Sequence, residues 1–453
     1  MNGFEACRRG LALLGLDVPE RDEDALDMYL REREAIAANV AGRSAADIAA
    51  LPDIEDHEVS PAARLLLGLS TLSAFAAHRN VHGWVNSWMT NTALRSGNSK
   101  ASTVAYARAS AHLADRGEYD LARTLGEVTL LLCRRYDDPS TSGRALFAYL
   151  GVAANYQTPL AELIPLHSSV LAKCMETGDL MFAGYISVQL QYCRLASGIE
   201  LSLILADIDA HMQFLRRSTP NIFTGHYVPH IVLPICELMD IPIARFGLVF
   251  DHDAHVAKFG SARYLMSWYN ATLIKLDCLY GRPVSTDELL HRLEIIESGG
   301  LGFLLVRESR YYAILMLLDP NHAQPLDASM QEHIDAWRSD LARCAARCPS
   351  NFGHLLALID AELAREHGES LDDALSRYEQ AIDEARLRGA THQEALACYR
   401  FAEFWATRGS KRTALIYLET ARDLYEAWGA ASLVRKLDAR RAELQPPRPG
   451  SAR

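Results

Sequence analysis

The sequence predicts an all-α fold, a solenoid of stacked antiparallel helical hairpins, and three observations carry that reading. A segment near the C-terminus is written twice, apolar residues recur in a helical period along most of the chain, and strand signals are scarce. Residues 361–390 (AELAREHGESLDDALSRYEQAIDEARLRGA) and 402–430 (AEFWATRGSKRTALIYLETARDLYEAWGA) superimpose with one inserted residue. The alignment pairs Gly368 with Gly409, Ala374 with Ala414, Ala381 with Ala421 and Gly389 with Gly429. A recurrence of about 40 residues marks stacked helical pairs, because one pair alone cannot bury its apolar face.

In chain order, helical periods run from Phe4 to Leu14 and from Asp22 to Ala38, followed by a polar connection that contains Leu51-Pro52-Asp53-Ile54-Glu55-Asp56. Pro61 is suited to the first turn of a helix, with Ser60 as its N-cap. From there paired helices are expected over 61–79, 82–95, 101–116, 119–136, 141–155, 159–177, 179–197 and 200–217; Leu121, Leu125, Val128 and Leu132 show the spacing that defines them. Residues 218–260 carry Pro220, Pro229, Pro234 and Pro242 and read as an irregular connection. The β-branched run Ile231-Val232-Leu233 lies between two of these prolines, which argues against a central strand. Paired helices resume over 261–280, 285–297, 303–318, 327–346 and 351–367 and lead into the duplicated segment. The resulting division is an N-terminal helical block 1–217, the connection 218–260, a C-terminal helical block 261–443 and an unstructured tail 444–453, where Pro446, Pro447 and Pro449 stop the last helix.

Within the duplication, Gly409 reads as the tight turn between antiparallel helices, since a residue without Cβ tolerates positive φ. Ala402, Ala414 and Ala421 fall where the helices cross closely, with Trp405 and Leu418 filling the space between them. A third copy is read in Ala105 to Arg134, where Gly117-Glu118-Tyr119-Asp120-Leu121-Ala122 repeats the turn, with weaker echoes at Thr177-Gly178-Asp179 and Ser197-Gly198-Ile199. This pattern resembles the tetratricopeptide repeat.

A second resemblance covers nearly the whole chain. Ser96-Gly97-Asn98-Ser99-Lys100-Ala101-Ser102, Glu176-Thr177-Gly178-Asp179-Leu180-Met181-Phe182-Ala183-Gly184-Tyr185, Pro349-Ser350-Asn351-Phe352 and Tyr425-Glu426-Ala427-Trp428-Gly429-Ala430 look like ordered landmarks. They resemble the helical-repeat region of large bacterial signalling ATPases, which combine a serine/threonine kinase, a P-loop ATPase, a GAF domain and a sensor histidine kinase. The resemblance implies a regulatory arm that holds a partner and couples it to nucleotide-driven and kinase modules. The chain begins inside that region and stops at its end, so the activities of those modules are not expected of it.

Composition narrows the remaining classes. The chain has 453 residues, 49 % of them apolar, and a formal charge of −11. That charge, without a basic stripe, disfavours a polyanion, so no nucleic acid is expected as partner. The C-terminal cations Arg435, Lys436, Arg440, Arg441, Arg448 and Arg453 instead complement a helix dipole. Nine scattered cysteines suggest reduced thiols in the cytosol. Cys344 and Cys348, one turn apart, lack the further ligands of a metal site. The apolar run Leu11 to Leu16 follows Glu5 and has no cleavage site, and the longest apolar segment, Ala145 to Asn155, is too short for a bilayer. A cytoplasmic protein without membrane association is expected.

No segment carries chemistry. A Gly-x4-Gly-Lys-Ser/Thr phosphate loop is missing, and Gly299-Gly300-Leu301-Gly302 reads as a helix connection. His57-Glu58-Val59-Ser60-Pro61 superficially matches a phosphoacceptor box but has its proline one residue too close. Asp251 and His255 would share a helical face, yet too few further ligands accompany them for a metal. No catalytic residue, cofactor or metal is therefore expected, and the chain reads as a non-catalytic scaffold for protein interaction in bacterial signalling, with ATPase or kinase modules as partners. Tyr399, Glu403 and Thr407, on the face expected to be concave, are the candidate contacts, joined by Trp84 and Trp88, for which core packing is the competing use. A small-molecule or peptide sensor, with 218–260 closing a pocket, is one alternative. An α-helical enzyme with a dispersed site is another.

Overall fold

The computed structural model describes residues 3–54, 61–76, 78–320, 322, 326–368 and 370–445. Among these residues the regular structure is helical, and strand-like pairing is confined to one isolated parallel bridge between Asp53 and Asn98. The all-α class is thus observed. His57, Glu58 and Ser60, and the tail from Pro446 onward, lie outside the described residues.

Most helices fall where the apolar period places them. Tyr119–Tyr136, Leu160–Thr177, Leu201–Ser218 and Ala328–Arg347 depart from expectation by a residue at most. Three segments differ, the first being the helix expected over 141–155, which ends at Gly151 and is followed by a separate 3-10 turn, Ala153–Tyr156. A short helix, Ala45–Ala49, interrupts the expected polar connection, nucleated by a capping box in which Ser44 Oγ accepts from the Asp47 amide (3.1 Å) and the Asp47 carboxylate accepts from the Ser44 amide (2.9 Å). The stretch 218–260 is largely helical rather than irregular: Pro220–Ile222 runs into a π-helix, Phe223–Val232, and then into Leu233–Met239, with a separate helix His252–Phe259. Pro229 has no N–H and its ring crowds the preceding turn, which disfavours a regular α-ladder, and the chain takes the wider π register over Phe223–Val232.

Burial sorts the helices into two layers. Lys100–Asp115, Leu180–Ala196, Arg263–Tyr280, Leu304–Leu317 and Thr391–Thr407 are buried around most of their circumference. Tyr119–Tyr136, Leu201–Ser218, Thr286–Gly299, Leu371–Leu387 and Lys411–Trp428 bury one apolar stripe and face solvent with the other side. Inner and outer helices alternate along much of the chain, and helices consecutive in sequence pack against one another. In the duplicated segment Ala374, Ala381, Ala414 and Ala421 are each at most 1 % exposed, as close helix crossing requires. Gly409 holds φ 78° and Gly117 φ 82°, the left-handed turn assigned to both.

The inner layer joins both halves. One hydrophobic cluster extends from Ile36 to Leu444, and a second, around Leu11, Tyr29, Leu69 and Trp84, fills the N-terminal end. Polar ties cross between the predicted blocks: Arg307 donates to Asp115 (2.7 Å), Asn351 Oδ1 accepts from the Leu160 amide (3.0 Å), and Trp428 Nε1 donates to the Ile199 carbonyl (3.1 Å). The helix Leu304–Leu317 sits at the centre, with Glu308 accepting from Tyr192 and Lys275 on two other inner helices.

Candidate functional site

The opening that contains a predicted contact residue lies where two inner-layer helices end beside two further helices. The helix Arg263–Tyr280 stops at Gly281, Leu304–Leu317 leads into Asp319, and Thr391–Thr407 and Ala431–Leu444 supply the remaining walls. Between them is a cleft of about 530 Å³, lined by Asp277, Tyr280, Asp319, Tyr399, Arg400 and Lys436 among others.

Its floor is a buried ion network. Arg400, 8 % exposed, donates to both oxygens of Glu362 (2.8 and 3.0 Å), to Asp319 (2.6 Å) and to the Leu315 carbonyl (3.0 Å). Tyr378 and Arg365 also donate to Glu362 (3.0 and 3.1 Å), so that carboxylate is fully engaged. Burial disfavours the Arg400 cation, but Glu362 and Asp319 more than offset this and hold its pKa well above the ordinary value. Such geometry makes the floor rigid.

The wall is different. Lys436 donates to the Leu279 carbonyl (2.7 Å) and its ammonium lies 4.5 Å from the centre of the Tyr399 ring, a cation–π contact. Burial, with Arg400 nearby, lowers the Lys436 pKa to about 8. Across the cleft, Tyr280 hydrogen-bonds Ser432 (2.6 Å) and the Glu237 carbonyl (3.2 Å), tying the last helix to the segment after the π-helix. The arrangement offers a half-buried cation and an aromatic face beside fixed charges, which suits recognition of an acidic or carboxylate-bearing segment.

Of the predicted contacts, only Tyr399 lines this cleft. Glu403 is taken up by a bidentate pair with Arg440 (2.9 and 2.8 Å), and Thr407 is exposed, its hydroxyl donating to the Phe404 carbonyl on its own helix. Trp84 is 5 % exposed inside the N-terminal core, so it is a packing residue and offers a partner no surface; Trp88 packs beside it, half-buried. Arg400 and Lys436 were not anticipated. An arginine inside the apolar sequence Ala397-Cys398-Tyr399-Arg400-Phe401-Ala402 was the available signal for the first.

The region 218–260 does pack on Arg263–Tyr280, where His230, Trp268, Lys275 and Glu308 enclose a cavity of about 30 Å³. Asp251 caps the helix His252–Phe259 by accepting from the Ala254 amide (2.7 Å), while His255 is buried against Tyr269. Cys344 and Cys348 are buried, Cys344 in contact with the Tyr119 hydroxyl (3.2 Å). Among the described residues no three His, Cys, Asp or Glu side chains converge as a metal site would require, and no helix is long and apolar enough to cross a membrane.

The fold and cleft define an all-α protein with a charged, partly aromatic recess. Compared with known families and curated proteins, the chain matches no family model and no curated protein sequence.

Proposed function

We propose that the chain is a non-catalytic scaffold, a tetratricopeptide-like α-solenoid, which holds a segment of a partner protein in the cleft beside Tyr399. The observation that carries this reading is the 530 Å³ recess in which Lys436 meets no carboxylate within ion-pair distance among the described residues while the neighbouring Arg400 is fully neutralised. An acidic side chain or a C-terminal carboxylate of the partner would complete Lys436, and Tyr399 would supply apolar contact area. The partners expected from the sequence resemblance are ATPase or kinase modules of a bacterial signalling system, reached in the cytoplasm.

The test replaces Tyr399 with a photo-crosslinking residue in the full chain inside its native cell and identifies the captured protein. Recovery of an ATPase or kinase component, with capture reduced at least about tenfold by Lys436→Glu, is the expected result, since loss of a central anchor typically costs this much. Capture of such a component undiminished by Lys436→Glu, or no capture at all, contradicts the proposal.

A further inference from the structure

A second recess lies far from the cleft, on the N-terminal side of the inner layer, and its chemistry is unusual. The helix Lys100–Asp115 consists mostly of small residues and is buried on nearly all sides, yet it carries Arg108 in its middle. Arg108 is only 8 % exposed. Its guanidinium donates to Ser70 Oγ and to Thr71 Oγ1 (3.1 Å), and no carboxylate among the described residues lies within ion-pair distance. Both hydroxyls spend their own protons elsewhere, Ser70 on Asn86 Oδ1 (2.9 Å) and Thr71 on the Leu67 carbonyl (3.0 Å). They orient the guanidinium without neutralising it.

Other buried arginines of this protein are paired: Arg307 with Asp115 and Asp340, and Arg400 with Glu362 and Asp319. A buried cation left without an anion is costly, which is why such groups are normally matched. Among the described residues no counter-charge at Arg108 relieves the desolvation, and its pKa falls to about 10 from burial, with Arg144 adding to the effect. It is still a cation at neutral pH.

This cation borders a cavity of about 60 Å³, lined also by Thr71, His112, Phe147, Phe182 and Phe303. Most of the remaining lining is aromatic or aliphatic, with His82 and His112 among it. His82 Nδ1 and His112 Nε2 are 2.6 Å apart and share one hydrogen bond, and burial drives both imidazoles to the neutral form, His112 to about 3. Asp115, the nearest acid on the same helix, is already held by Arg307 and Arg79. Rim residues Thr71, Ala74, Phe147 and Leu301 are half-buried, so solvent reaches the opening. At roughly 10–15 Å³ for each water-sized group, the space accepts about four to six non-hydrogen atoms.

We infer that this cavity is a binding site for a short-chain aliphatic monocarboxylate, whose carboxylate pairs with Arg108 and whose hydrocarbon end lies against Phe147, Phe182 and Phe303. A planar guanidinium matches a carboxylate in two parallel hydrogen bonds, and the small volume excludes longer acids. The site is independent of the Tyr399 cleft and stands or falls separately from it. It makes the scaffold a receiver of a small metabolite.

The probe is butyrate, titrated into the full chain by calorimetry and followed by thermal unfolding, with butyramide, chloride and phosphate as comparison ligands. Butyrate is expected to bind and raise the unfolding temperature, and butyramide, of equal shape without charge, to bind at least about tenfold more weakly. Arg108→Met should weaken butyrate binding by a similar factor while leaving the helical circular dichroism intact, because a linear apolar side chain removes an uncompensated charge. The 13C carboxyl resonance of labelled butyrate on the wild-type chain gives a second measurement that needs no variant; a shift that butyramide does not displace supports the assignment. No binding of butyrate, equal binding of butyramide, equal stabilisation by chloride or phosphate, or unchanged affinity in a folded Arg108→Met chain overturns it.

Discussion

Ala414 and Ala421 are 0 % exposed at the crossing of the last repeat, and there a side chain has no volume to grow into. Ala414→Trp should overpack this helix pair and lower stability by about 1–3 kcal/mol or more, measured by urea unfolding. Gly299 shows the same constraint through the backbone. A Cβ at this position would stand 2.3 Å from the Arg263 carbonyl oxygen, an atom that cannot swing aside. Gly299→Ala should therefore cost on the order of 1–3 kcal/mol, and unchanged unfolding would mean that the helices Arg263–Tyr280 and Thr286–Gly299 do not approach so closely. The alanine positions were legible because duplication set them in register. Gly299 was read only as part of a connection, since nothing in its local sequence announces a carbonyl from another helix.

Among the elements, the Arg400 network ties together four helices, Leu304–Leu317, Pro349–Glu366, Leu371–Leu387 and Thr391–Thr407. Glu362→Leu would leave Arg400 short of its main partner and should destabilise the chain by about 3–5 kcal/mol, whereas the double change Glu362→Leu with Arg400→Met should recover much of that loss. A thermal-unfolding double-mutant cycle checks this; additive losses would contradict it. Helix positions were readable here because amphipathic periods and turn glycines are local signals, as at Gly117 and Gly409. The helical state of 218–260 was not. Its prolines argue locally for irregularity, whereas Phe223–Val232, buried against Leu180–Ala196 and Arg263–Tyr280, takes the π register. The cleft was half legible: Tyr399 follows from repeat geometry, but Lys436 read as one of several cations completing a helix dipole, and its meeting with Tyr399 depends on how successive helices pack. Arg108 likewise carried a faint signal, an arginine with Val104, Ala105, Ala111 and His112 one turn away and no acid among them.

For the molecule as a whole, continuity of the core from Ile36 to Leu444 means that the two predicted blocks share one interior. That interior holds several neutral histidines. Burial pushes His226 down to about 3 and His167, His255 and His354 to about 4, with neighbouring cations adding to the effect for the latter two. In the unfolded chain these rings titrate near 6.5, so below this pH the unfolded state takes up protons that the folded state refuses. The histidine contribution is fully present above about pH 6.5 and is lost as pH falls toward 4, by up to about 1.4 kcal/mol per pH unit for each ring. The urea midpoint should drop between pH 6.5 and 5, before most carboxylates protonate, and a flat midpoint across that interval would contradict neutral burial. Hydrogen–deuterium exchange of the full chain with and without its captured partner shows whether the Tyr399 cleft is the gripping surface. New protection is expected around Asp277–Ser285, Leu315–Asp319, Tyr399 and Lys436. Protection confined to other surfaces, with these segments unchanged, would contradict it.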